Sequence, residues 1–276
     1  MKPLSLACPL VIVSFFSLSF AFSQQSYKDC SAWLSNDTLV VQNSKISYSM
    51  LWNGGDFIPY SIVDRNGDKR VVFQANEPGF EATGAPFNTN STFHIAAVEQ
   101  NIHSPAHLRV EVENEHDAGV KVLRVFKVFP ETSAITMEIY LKYGDLGKGK
   151  DPNEQKLDGT ESFFTHNTQG KEPYLQQFGL NYPHWDFTVV RFKDVTDAND
   201  NLVHEQQLLP YGAAQQLQGN LLLARDVIHG SEFFLLKEGP NGESQINYPG
   251  YDYALSKSKI GIPFSGFPPP RREWNG

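Results

Sequence analysis

An all-β fold, a large antiparallel sandwich of two sheets, follows from three features of the sequence. Residues 134–143 alternate without a break: Ile135, Met137, Ile139, Leu141 and Tyr143 on one side, Thr136, Glu138, Tyr140 and Lys142 on the other. A period of two with one apolar face marks a strand that covers a core on one side. Residues 120–129 before it are rich in Val and Phe, and the corner Pro130-Glu131-Thr132-Ser133 turns the chain back, so a long apolar hairpin is predicted. A hairpin this apolar needs a second sheet over it. Finally, a dozen or so short strand-like runs are spread along the chain, while no segment keeps a 3.6-residue period over three turns.

Taken in order, residues 38–41 and 45–52 read as strands, and Asn53-Gly54-Gly55-Asp56 supplies the tight turn after them. Residues 57–63 return, with Pro59 suggesting an edge position because proline cannot donate to a ladder. Asp64-Arg65-Asn66-Gly67-Asp68 turns again and residues 70–73 run back, completing an antiparallel meander. The Pro, Gly and Asn content of residues 75–90 predicts a loop. Strands follow over 92–98, 108–113, 120–129 and 135–143. Residues 144–159 are polar and Gly-rich, hence loop. Residues 161–165 resume the sheet, 174–178 favour a helical turn, and 187–192, 219–223 and 232–237 complete the strands.

Two ends stand apart from this pattern. Residues 1–23 carry Lys2, an apolar uncharged run from Leu4 to Phe22, and small residues at the Ala21-Phe22-Ser23 junction, the pattern of a cleaved signal peptide. The run is also long enough to raise a membrane anchor, but the polar Gln24-Gln25-Ser26 that follows has no Lys/Arg stop signal. The expectation is an exported protein, periplasmic, at the cell surface or secreted, with no membrane association after cleavage. Cys30 is then the only cysteine left, so the β-domain, residues 24–262, rests on its core without an internal disulfide. Residues 263–276, with Pro268-Pro269-Pro270, read as a Pro-rich linker.

Several motifs weigh less than they first suggest. The net charge of −8 and the lack of Lys/Arg blocks argue against nucleic acid as a partner. Residues 144–151 approach a P-loop, but Asp151 stands where Ser or Thr would hold Mg²⁺, and Pro152 follows. Asp197-Ala198-Asn199-Asp200-Asn201 resembles the start of a Ca²⁺ loop, but Leu202 and Leu208 occupy the Gly and Glu positions. A hairpin turn between residues 190–192 and 202–204 explains it more simply. The eight histidines are scattered and show no metal-ligand spacing. No metal or other cofactor is expected.

A resemblance points toward function. The run from Phe192 to Val203, the run from Gly230 to Glu238, Gln245-Ile246-Asn247-Tyr248-Pro249-Gly250-Tyr251-Asp252-Tyr253, Gly54-Gly55-Asp56-Phe57 and the 120–143 hairpin resemble the N-terminal region of exported α-galactosidase-like glycoside hydrolases. In that family this region is a galactose-mutarotase-like supersandwich, followed by a (β/α)₈ barrel bearing an Asp nucleophile and an Asp acid/base. Retaining glycosidases need two carboxyl groups roughly 5 Å apart across the scissile bond, and the residues here match none of the barrel's motifs. The resemblance therefore implies the non-catalytic part of a glycoside hydrolase, inactive alone, with no catalytic residue to assign. Its implied partners are a C-terminal barrel absent from this chain and a galactose-containing glycan. A free-standing surface carbohydrate-binding module is the alternative.

Sugar rings present apolar C–H faces and a rim of hydroxyls, so an aromatic platform beside an Asp acceptor suits them. Trp52 with Asp56, Trp185 with Asp186, and Tyr251 with Asp252 have that combination in turn-like contexts. The competing reading is that these rings pack against the companion barrel.

Overall fold

A computed structural model describes residues 25–52, 57–74, 87–116, 120–143, 174–180, 185–192, 203–208, 215–238, 251–256 and 259–263. The expected signal peptide and all of the expected linker but Pro263 lie outside these residues. So do the P-loop-like run, the Asp197–Asn201 run and the strand expected over 161–165. The described residues are all-β, and every strand pairing among them is antiparallel.

The first six strands are β1 (Gln25–Tyr27), β2 (Cys30–Ser35), β3 (Thr38–Gln42), β4 (Ile46–Trp52), β5 (Phe57–Asp64) and β6 (Lys69–Val72), and they make sheet I in sequence order. Sheet II is the meander of β7 (Phe87–Val98), β8 (His107–His116), β9 (Val120–Val128) and β10 (Ile135–Tyr143). The remaining strands are β11 (Tyr174–Gly179), β12 (Trp185–Phe192), β13 (Val203–Leu208), β14 (Gln215–Leu217), β15 (Leu221–Asp226), β16 (Glu232–Leu236), β17 (Tyr253–Ser256) and β18 (Lys259–Pro263). They divide between sheet III, ordered β11-β18-β17-β14, and sheet IV, ordered β13-β12-β15-β16.

Four hydrogen-bonded sheets thus stand where two were expected. A sheet that twists strongly tends to curl or split near about ten strands, which favours several small sheets over two broad ones. Sheets I and II face one another. The Cys30 thiol donates to the carbonyl of Val128 at 3.3 Å, and the rings of Phe57 and Phe126 meet edge to face with centroids 6.4 Å apart. Sheets III and IV are joined likewise, the Tyr253 hydroxyl lying 2.9 Å from the carbonyl oxygen of Asn220 and 3.0 Å from that of Leu235. A single apolar cluster runs through both pairs, from Leu39, Val41 and Met50 to Leu222, Phe233 and Ile260. Each fully buried side chain of this size adds about 1.5–3 kcal/mol.

The 120–143 hairpin forms as its alternation requires, with Ile135 opposite Val128 and Tyr143 opposite Val120. Its corner places Glu131 at φ 57°, in the left-handed region. Phe192 pairs with Val203, so the two runs expected to form the second hairpin do pair. Three local expectations fail. Pro59 lies on β5, an interior strand of sheet I, at the register shift between Ser49 and Met50, where a bulge relieves the ladder of a donor. Residues 174–178 are strand rather than helical turn: Leu and Gln favour helix locally, but pairing with β18 overrides that preference. Residues 87–90 belong to β7, beyond a register shift that separates Phe87 from Ser91.

Tight contacts join the corners. Asn43, fully buried, donates from Nδ2 to the carbonyls of Phe129 (2.7 Å) and Thr132 (2.8 Å), while its Oδ1 accepts from the N–H groups of Lys45 and Ile46. Asp29 accepts from the N–H and hydroxyl of Ser44 and from the N–H of Glu131. Partial burial raises the carboxyl's pKa, but those three donors outweigh it and hold it at about 2. Sheets I and III meet where the Gln74 N–H donates to the Gly179 carbonyl at 3.0 Å.

Candidate functional site

The three aromatic and carboxylate pairs occupy different environments. Trp52 ends β4 opposite Phe57, and it is partly exposed. Its ring lies 4.8 Å from that of Phe57 and 5.3 Å from that of Phe93, centroid to centroid, the second contact edge to face. Asp56 lies outside the described residues.

Trp185 opens β12 on the inner face of sheet IV. It is only 4% exposed, with its ring edge to face against Phe233 at 5.6 Å. Asp186, the next residue, stands opposite Arg225 and is partly exposed. Neighbouring strand residues point to opposite faces, so the Trp185 ring and the Asp186 carboxylate do not make the platform and neighbouring acceptor expected of them. Tyr251 and Asp252 are 1% and 3% exposed. The Asp252 carboxylate accepts from the Gly219 N–H at 2.9 Å and from the Lys237 ammonium at 2.6 Å. Both rings, Trp185 and Tyr251, are thus core side chains with no open face for a ligand to stack on, and Asp252 ties sheet III to sheet IV.

Trp52, half-buried, is therefore the candidate ring that keeps some exposure, and Phe57, which it touches, also lies against a polar group that the sequence reading missed. Arg124 is buried in the interior between sheets I and II, its guanidinium carbon 5.8 Å from the centroid of the Phe57 ring. Burial pushes the Tyr48 phenol up, with the Arg124 charge acting the other way. Asn114 is fully buried on the same face of sheet II. The signal was legible in the alternation: Val122, Arg124, Phe126 and Val128 share one face, so the period that buries three apolar side chains buries the arginine as well.

Elsewhere, Asp226 accepts from the N–H groups of Ile228 and His229 and lies 2.7 Å from Nδ1 of His229. Partial burial raises the Asp226 pKa, but these donors hold the carboxyl below its usual value. This is an Asx turn closing the β15–β16 hairpin, with His229 exposed. Among the described residues no group of three His, Cys, Asp or Glu is placed to hold a metal ion.

No family model matches the chain, and neither a curated protein nor a solved structure does.

Proposed function

We propose that this chain is the non-catalytic, carbohydrate-associated β-domain of an exported α-galactosidase-like glycoside hydrolase, built as a galactose-mutarotase-like supersandwich. The observation that supports the fold is the hydrogen bond from Gln74 to Gly179. It joins an edge of sheet I to an edge of sheet III, as one broad layer of a supersandwich would require. The motif resemblance supplies the family, and Trp52 over the Phe57–Phe93 cluster supplies the aromatic surface on which a sugar's C–H face would rest.

Calorimetry with galactose-terminated oligosaccharides and an aryl α-galactoside assay on the purified chain test this reading. Expected are no hydrolysis and saturable glycan binding that weakens about tenfold in Trp52→Ala, a loss of about 1.4 kcal/mol. Hydrolysis by the chain alone overturns the non-catalytic assignment, and undiminished binding by Trp52→Ala overturns the site. Tight binding without any companion barrel favours the free-standing module.

A further inference from the structure

β16 ends sheet IV, and among the described residues no strand pairs with its outer side. The Lys237 N–H donates to the Asn220 carbonyl, and the Asp226 N–H to the Ser231 carbonyl. Those two bonds set the phase of the antiparallel ladder: residues 231, 233, 235 and 237 bond toward β15, while Glu232, Phe234 and Leu236 turn their N–H and C=O groups outward. The side chains of these same residues stand on the outer face, where Phe234 is 46% and Leu236 51% exposed. In register behind them are Leu223, 41% exposed, opposite Phe234, and Leu221 opposite Leu236. Glu232 and Glu238, both exposed, bracket the pair on the same face, the Glu232 carboxylate sharing its charge with Arg225, whose Nε lies 3.3 Å away across the ladder.

Natural sheet edges are usually guarded by lysine, proline or a bulge. The one lysine here, Lys237, is drawn to Asp252 instead. A second copy of this chain is a poor occupant. The antiparallel register that sets Phe234 against Leu236 of the other copy also sets Glu232 against its Glu238, and like charges directly opposite one another are destabilising. The register that sets Phe234 against its counterpart sets Leu236 against Glu232, an apolar side chain against a charge.

We propose that the outer edge of β16 accepts an added strand from another protein: an extended segment with two apolar side chains at alternate positions, flanked on the same face by Lys or Arg. Backbone bonds to Glu232, Phe234 and Leu236 would supply affinity, and the acidic–apolar–apolar–acidic row the selectivity. The inference is independent of the carbohydrate reading.

The test is fluorescence anisotropy of a labelled peptide, Lys-Thr-Val-Thr-Val-Thr-Lys, titrated with the full chain. Saturable binding is expected, with the Glu-ended peptide on the order of tenfold weaker and the preference reversed in a Glu232→Lys, Glu238→Lys double variant. Phe234→Pro removes an outward N–H without touching the β15 ladder, and it abolishes binding. Leu236→Lys does the same while retaining every backbone donor. Failure of the Lys-ended peptide to bind, or equal binding of both peptides, overturns the proposal. So does concentration-dependent dimerisation that Leu236→Lys abolishes.

Discussion

The ammonium of Lys237 sits 2.6 Å from the carboxylate of Asp252, joining the end of β16 to the residue that leads into β17. Removing one partner of a buried ion pair leaves the other desolvated and uncompensated. Asp252→Ala also strips the acceptor from the Gly219 N–H, and the expected loss is about 2–3 kcal/mol, read by urea denaturation. An Asp252 that served mainly as a sugar ligand would instead lose glycan binding at unchanged stability.

Gly179 lies where sheets I and III meet. A Cβ placed there would meet the Gln74 carbonyl oxygen at 2.3 Å, and that oxygen belongs to backbone. Gly179→Ala forces the two sheets apart and should cost about 1–3 kcal/mol. The same change at an exposed position such as Ser35 should cost far less, and comparing the two midpoints checks the claim.

Asn43 satisfies two buried carbonyls across the interface between sheets I and II. Asn43→Ala leaves them without a donor and should destabilise by about 2–4 kcal/mol. Asn43→Asp, which keeps the size but replaces the donor with a second acceptor, should be no better. Thermal melts of the two variants would show whether the hydrogen bonds or the volume matter.

Asp29 gives the corner a pH dependence of known sign. Its carboxyl is held at about 2 in the folded chain, below its ordinary value of 3.8. Its contribution to stability is therefore present above pH 4 and is lost as pH falls from about 4 to about 2. The Tm difference between the native chain and Asp29→Asn should be present at pH 6 and fade across that window. A difference constant from pH 6 to pH 2 would refute the assignment.

How far the sequence could be read varied with how local each cause was. The β9–β10 hairpin was legible because alternation and the Pro130 corner both lie within the segment. β11 was not, because Leu175, Gln176 and Gln177 between Tyr174 and Phe178 favour helix, and the run becomes a strand only against β18, far along the chain. Pro59 was read as an edge marker and lies on an interior strand, because an interior bulge and a sheet edge leave the same mark in sequence. At the candidate site, Trp52 was singled out for its place across a hairpin turn from Asp56, and it is half-buried. Trp185 and Tyr251 were misplaced because an aromatic beside an aspartate looks the same in a turn as at the end of a buried strand. Whether a ring faces solvent depends on what packs over it, and no neighbouring residue encodes that.

Phe73, just beyond β6, places its ring 5.2 Å from that of Phe178 in sheet III and 5.4 Å from that of Phe233 in sheet IV. One residue of the N-terminal half is thereby a keystone for the C-terminal half. The two halves should melt together in one cooperative step, and a cut between them would leave neither with a complete interior.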